Sequence, residues 1–279
     1  MTTVYPLVFK IGSLEITGFG IMMMLAFVVG GWLVTLELRR NRWNEEYGAD
    51  IVVAAVLGGV IGAKLWYVAL TQDLDALLSR GGLVWYGGFL GGVLAVIANG
   101  WRRRVPIRIT MHLTAPALAA AYAVGRVGCF VVGDDYGRPT DLPWGVKFPQ
   151  GLPPSTAGNL SSMFGVPIPS DVPPSTVMAV HPTQLYEVVL MLAAFMVLWR
   201  WRVRNKPMGW IFGLYLVFAG IERFLVEILR AKDDRFLGMF TIAQLTSAVV
   251  VVTGVALLSR LGAAGPTPEP GAYLRSQKA

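Results

Sequence analysis

The sequence predicts an all-α integral membrane protein of about seven transmembrane helices, with its N-terminus outside and its C-terminus cytoplasmic. Three observations carry that expectation. Hydrophobic side chains make up 54% of the 279 residues and charged ones only 15%, with a mean hydropathy of +0.56, a balance too apolar for a water-soluble domain. The apolar residues fall in runs long enough to cross a hydrocarbon core, which takes about 20 residues. The cations gather in alternate loops between those runs, as a single cytoplasmic side requires.

The runs lie at residues 16–36, 50–70, 85–101, 112–132, 183–201, 208–229 and 237–258. The first carries no charge from Ile16 to Leu36. It is too long for a removable signal peptide and lacks a small-residue cleavage site. Arg39, Arg40 and Arg42 follow the first run, Arg102, Arg103, Arg104 and Arg108 the third, and Arg200, Arg202, Arg204 and Lys206 the fifth. The intervening loops carry Asp73, Asp75, Asp134, Asp135, Asp141 and Asp171 with fewer cations. The net charge of +7 therefore reads as a topology signal and not as nucleic-acid binding.

Two stretches do not read as spans. Residues 133–182, rich in Pro, Gly and Ser, form an outer insert, either a lid or a plain insertion, in a single transmembrane domain over 1–261. Residues 262–279 read as a disordered cytoplasmic tail. One cysteine and two histidines provide no disulfide framework and little for a metal centre, so neither metal nor cofactor is expected.

An ionisable group at the centre of a span costs about 2.5–3.5 kcal/mol on insertion scales, so each needs a partner, a cavity or a function. Lys64 lies in the second run, Arg126 in the fourth, Glu187 early in the fifth, and Arg223 and Glu227 in the sixth. Gly220, Arg223, Glu227 and Arg230 recur at helical spacing and share one face. One reading of Arg223 and Glu227 is a buried ion pair that fixes helix packing. Against it stands a cation excess: Lys64, Arg126 and Arg223 exceed what Glu187 and Glu227 can neutralise, which suits an anionic lipid headgroup. Gly87 and Gly88 after Tyr86, with Gly91 and Gly92 a turn on, allow close approach of a helix or a ligand. His181, Gln184, Tyr186 and Glu187 open the fifth run, where interface anchoring accounts for Tyr186 but not for Glu187. His112 reads as a boundary residue of the fourth.

Three stretches carry a resemblance: Gly125-Arg126-Val127-Gly128-Cys129-Phe130-Val131-Val132-Gly133-Asp134-Asp135-Tyr136-Gly137, the heptad His181 to Glu187, and Arg223-Phe224-Leu225-Val226-Glu227-Ile228-Leu229-Arg230. Phe19-Gly20, Gly62-Ala63-Lys64 and Tyr86-Gly87-Gly88 are weaker echoes. The chain resembles the prolipoprotein diacylglyceryl transferases of the bacterial inner membrane. That resemblance implies transfer of the diacylglyceryl group of phosphatidylglycerol to the lipobox cysteine of prolipoproteins, with release of glycerol phosphate. It implies a multi-pass protein with its site towards the outer leaflet. It places the signature arginine on Arg126 and the sixth-span arginine on Arg223, followed by Glu227 and Arg230. The expected headgroup ligands are Arg126, Arg223, Lys64, Arg230, Gly87, Gly88, Gly137, Asp134, Gln184 and Glu187.

The chain departs from the family pattern at several positions. Cys129 and Val132 stand where asparagines are usual, Asp134 where a glutamate is, Phe19 where a tyrosine is, and Tyr86 where a histidine is proposed as the thiol's base. Tyr86 and Glu227 are then the candidate proton acceptors, with Arg126 and Arg223 the phosphate clamp. Cys129 reads as a packing residue, since the substrate peptide brings the thiol. The rival readings are a non-catalytic paralogue that binds or moves anionic lipid, a small-anion transporter, and a retinal-type receptor. The transporter lacks a clear inverted repeat, and the receptor lacks a lysine in the seventh run.

Overall fold

Seven long helices occupy the seven apolar runs in the computed structural model, which describes residues 2–11, 14–77, 82–204, 206–231, 235–236, 240–262 and 269–275. They are α1 (Gly18–Arg40), α2 (Glu46–Thr71), α3 (Trp85–Arg102), α4 (Ile107–Val132), α6 (Thr183–Trp201), α7 (Trp210–Glu227) and α8 (Ile242–Gly262). Short helices α5 (Ala157–Ser162) and α9 (Ala272–Arg275) complete the set. Their ends follow local chemistry. The Thr17 hydroxyl accepts from the Gly20 amide at 3.1 Å to cap α1, and Gly133 closes α4 in the left-handed conformation.

Five of the seven, α1, α2, α4, α6 and α8, are long and apolar enough to cross a membrane. The other two are diluted, α3 by glycines that pack on α2 and α7 by charges of the site. α3 carries Gly87, Gly88, Gly91, Gly92 and Asn99, and α7 carries Glu222, Arg223 and Glu227.

The helices pack as pairs: α1 on α4, α2 on α3, α4 on α6 and α7 on α8. Glycine makes the α2–α3 pair possible. A Cβ on Gly62 would fall on the Gly87 carbonyl oxygen and 2.8 Å from Gly91 Cα, so the two backbones touch directly. The close approach expected at Gly87 is thus taken up by α2. α4 is the hub of the remainder, with Leu113, Ala117 and Ala120 facing α1 and Ala115, Ala119 and Ala123 facing α6 and α7.

At the end of the bundle carrying the arginine-rich loops, the fully buried Glu37 gathers Arg40, Arg202 at 2.9 Å and His112 at 3.6 Å. His112 is therefore no boundary residue. α4 begins at Ile107, before the apolar run proper, and carries the imidazole inside. Residues 269–275 of the expected tail are ordered at this end. Leu274 is fully buried in the α1–α4 core, and the Tyr273 hydroxyl donates to Asp50 at 2.7 Å beneath the Arg103 guanidinium.

The opposite end is capped by residues 133–182. Strands β4 (Val146–Lys147) and β5 (Ala179–Val180) pair antiparallel, and β1 (Thr2–Thr3) joins β4 in parallel. Tyr136, Val146, Phe148, Leu160, Val166 and Val180 give the cap its own core. Gly137 stitches it to the chain leaving α7. Its amide donates to the His181 carbonyl at 2.8 Å, and a Cβ there would meet the Leu229 carbonyl oxygen at 2.6 Å. The remaining strands form two hairpins, β2 (Val8–Ile11) with β3 (Leu14–Thr17) and β6 (Arg235–Phe236) with β7 (Phe240–Thr241).

Candidate functional site

Tyr122, Arg126 and Cys129 are spaced by four and three residues, which puts them on one face of α4 close to the capped end. α6 starts and α7 finishes at that end, so Gln184 and Glu187 come from the first turns of α6 and Glu222, Arg223 and Glu227 from the last turns of α7. The turn after α4 adds Asp134 and Asp135, and the chain beyond α7 adds Arg230.

These side chains form an unbroken line of alternating charge. Glu187 takes Arg126 bidentately, Nε and Nη2 each at 2.6 Å. Arg126 Nη1 reaches Asp135 at 2.9 Å. Asp135 also pairs with Arg230, Arg230 Nε lies 3.7 Å from Glu227, and Glu227 takes Arg223 at 2.6 Å. Glu187 is 1% exposed and Arg126 13%, whereas Asp135 is 37% exposed and forms the opening of the line. Arg223 Nη1 is a buried donor with no acceptor among the described residues.

The cation excess expected from sequence is not found here. Arg126, Arg223 and Arg230 meet Glu187, Asp135 and Glu227 one for one, and Asp134 and Glu222 are further acids at the cluster. The structural ion pair and the anion site weighed for Arg223 and Glu227 are the same object: the pair is present and one guanidinium nitrogen remains open.

Polar side chains from the start of α6 fix the 134–135 turn. Gln184 Nε2 donates to the Asp134 carbonyl and the Thr183 hydroxyl to the Asp135 carbonyl at 2.8 Å. Asp135 has a left-handed backbone, φ 55°, a conformation aspartate tolerates. Burial acts to raise the Asp135 carboxyl, but Arg230 and Arg126 outweigh it and hold it below the ordinary carboxylate range. Asp134 makes no ion pair with either arginine, and burial, then the neighbouring Asp135, outweighs their pull and pushes it up to about 6. Cys129, Asp134 and Asp135 bring their ligand atoms within 4.8 Å of one another, and the cation among them is the Arg126 guanidinium, 3.5 Å from Cys129 Sγ.

The remaining expected residues lie apart. Lys64 is on α2, and Tyr86, Gly87 and Gly88 are on α3, so they contribute no member to the line. Tyr86 is 59% exposed, its ring edge-on to Trp85 at 5.3 Å, without a hydrogen-bond or ion-pair partner among the described residues. Three participants escaped the sequence reading: Tyr122, Asp135 as a bridge, and Glu222. Tyr122 was available from its four-residue spacing to Arg126, and its hydroxyl accepts from Arg126 Nε and donates to Glu187 Oε1, both at 3.1 Å.

A family model described as prolipoprotein diacylglyceryl transferase matches residues 6–260. The chain belongs to that family. It is similar to phosphatidylglycerol–prolipoprotein diacylglyceryl transferases of Solidesulfovibrio magneticus, 33% identical with 91% of this chain and 94% of the relative covered, and of Pseudomonas putida, 30% identical with 95% and 97% covered. The Clostridium tetani protein of the same name is 29% identical over 257 residues, 90% of this chain and 95% of the relative. Arg126 and Arg223 are held here as the inner and terminal cations of one ion-pair line.

Proposed function

We propose that this chain transfers the diacylglyceryl group of phosphatidylglycerol to the lipobox cysteine thiol of prolipoproteins and releases glycerol phosphate. The observation that carries the reading is the arginine line with its opening at Asp135. A phosphodiester monoanion entering there takes the place of the Asp135 carboxylate on Arg126 and Arg230 and engages the open Nη1 of Arg223. The thiol sulfur forms a bond to the glyceryl carbon as the carbon–oxygen bond to phosphate breaks. The electron pair leaves on the phosphate oxygen, where the guanidiniums stabilise the developing charge in a site largely closed to water.

All seven long helices cross the bacterial inner membrane in this reading, with the N-terminus and the 133–182 cap outside and the 269–275 segment in the cytoplasm. Residues 1–261 then form one transmembrane domain, and the capped end meets both the lipid and the signal-peptide junction. Asp134, Gln184 and Gly137 shape the opening through the turn they build. Tyr86 and Glu227 are the candidate bases from sequence, but Tyr86 has no hydrogen-bond or ion-pair partner among the described residues, and Glu227 is already engaged by Arg223 and Arg230.

The test incubates the purified protein with phosphatidylglycerol vesicles and a lipobox peptide and looks for a diacylglyceryl adduct by mass spectrometry. An adduct with the natural sequence, and none with Arg126→Ala or Arg223→Ala, is expected. Lipid binding without adduct overturns the transferase reading in favour of a non-catalytic lipid-binding relative.

A further inference from the structure

The cations at the end of the bundle opposite the cap fall into two groups. Arg39 pairs with Glu45, Arg40 and Arg202 with Glu37, Arg103 with Asp50 and Arg275 with Glu269. Arg108, Arg204 and Lys206 meet no acid among the described residues, and all three stand at the segment joining α6 to α7. Arg108 comes from the first turn of α4. Its Nε donates to the Met208 carbonyl at 3.1 Å, and a Cβ on Gly209 would lie 3.2 Å from its carbonyl oxygen.

Arg204 and Lys206 are exposed and lie on indoles. Arg204 Cζ is 4.5 Å from the centre of the Trp201 ring, Lys206 Nζ is 5.4 Å from that of Trp210, and the two indoles are 6.3 Å apart and inclined by 23°. The contacts thus run in one chain, from Arg204 to Trp201 to Trp210 to Lys206. An aromatic face attracts a cation without neutralising it, and a stacked guanidinium keeps its N–H edges for an oxyanion. Arg108 Nη2, beside the same segment, is a donor with no acceptor among the described residues. Arg108 also sits at the positive end of the α4 dipole, where an anion is favoured and a cation is not. Trp201 ends α6 and Trp210 begins α7, and tryptophans at helix ends mark the level where hydrocarbon gives way to headgroups. Three cations without acids at that level call for an external anion, and the one that layer supplies is a lipid phosphate.

We propose that the segment between α6 and α7 binds the phosphate of an anionic phospholipid in the leaflet at this end, a second lipid site at the opposite end of the bundle from the Asp135 opening. Arg204 and Lys206, held by the paired indoles, take the phosphate oxygens, and Arg108 gains the acceptor it lacks. The proposal rests on the bundle spanning the bilayer, and not on the transfer reaction.

The experiment titrates the full chain, purified in an uncharged detergent, with phosphatidylserine or with phosphatidylcholine of the same chain length, and reads bound lipid by native mass spectrometry. Phosphatidylserine carries a net negative charge and is not the donor of the proposed transfer. Wild type retains it in preference to phosphatidylcholine, and added salt weakens the preference. Replacing both cations, Arg204→Ala with Lys206→Ala, weakens that binding roughly 30-fold, about fivefold for each cation near a bilayer surface. The same double variant forms adduct from phosphatidylglycerol and a lipobox peptide, and unfolds without lipid, as wild type does. Arg126→Ala, altered at the other end, keeps the preference for phosphatidylserine. Equal retention by wild type and the double variant, or loss of the preference in Arg126→Ala, overturns the second site. Displacement of the lipid by an equal concentration of inorganic phosphate overturns the lipid as its occupant in favour of a soluble anion. Absence of adduct with wild type would count against the transfer reaction alone, since the binding titration contains no peptide.

Discussion

Replacing Arg126 with alanine removes four interactions at once: the bidentate pair to Glu187, the bridge to Asp135, the hydrogen bond to the Tyr122 hydroxyl and the contact with Cys129 Sγ. Glu187, 1% exposed, is left as a buried carboxylate with Tyr122 as its remaining donor. Breaking a buried pair from one side costs about 3–5 kcal/mol, most of it the stranded charge. At about 2–4 °C per kcal/mol for a chain somewhat smaller than this one, the unfolding midpoint falls by roughly 10 °C. Adding Glu187→Gln to Arg126→Ala removes the stranded charge, so the double variant recovers most of that loss. Transfer activity is expected to follow a different pattern, because the guanidinium proposed to stabilise the leaving phosphate is absent from both variants. Thermal unfolding in detergent and adduct formation, measured on the same preparations, separate the two roles. If the double variant is no more stable than Arg126→Ala, the pair is not the buried clamp described. If it regains turnover, Arg126 acts through Glu187 and not on the phosphate.

Two further outcomes follow from the geometry. Gly62→Ala places a methyl on the Gly87 carbonyl and lowers stability by about 1–3 kcal/mol as an overpacked contact. Gly59→Ala, whose nearest neighbour across the pair is the Gly88 carbonyl oxygen at 3.6 Å, is tolerated. Matching midpoints for the two variants in a thermal melt would remove the α2–α3 backbone contact from the account. Asp134 gives a pH signature. Its carboxyl is raised from 3.8 to about 6 in the folded protein, so folding favours the neutral acid. The group costs nothing below its ordinary value, and the fold weakens as pH rises through that window, levelling off above about 6. Asp134→Asn abolishes this component, so the variant gains on wild type across the window in melts recorded against pH. Parallel curves would show that Asp134 is not the acid the site holds neutral.

The helices were legible because lipid exposure leaves long apolar runs with few competing patterns. Trp85–Arg102 and Thr183–Trp201 differ from the expected 85–101 and 183–201 by at most one residue. α4 starts five residues before the expected 112, because its first turns are buried by other protein segments, where polar residues such as Thr110 and His112 are compatible with helix. The arginines and glutamates of the site stood out as charges in apolar surroundings, and helical spacing alone assembled Arg223 and Glu227. Asp135 was not legible as a bridge, since its link to Arg126 and Arg230 depends on a left-handed turn and on contacts across 95 residues. Glu222 was hidden for the opposite reason. It adjoins Arg223 but faces α4 and α6, off the stripe that the three- and four-residue spacing picks out. The buried Leu274 gave no periodic signal in so short a segment.

Alternating the charges answers two demands that otherwise conflict. Three guanidiniums within reach of one another repel and would be costly beside lipid, yet binding a phosphodiester requires cations that no carboxylate holds permanently. The line satisfies the first demand by giving each arginine an acid, and the second by making one acid different from the others. Glu187 and Glu227 are sealed among helices, while Asp135 lies on a turn, is the most exposed member of the line, and pairs with both Arg126 and Arg230. A monoanionic headgroup that displaces Asp135 leaves the charge of the line unchanged and retains the Glu187 and Glu227 anchors. Binding then requires the movement of one side chain, on a turn held by Thr183 and Gln184 through its backbone carbonyls and not through its carboxylate, so that the carboxylate can yield its place while the turn stays put.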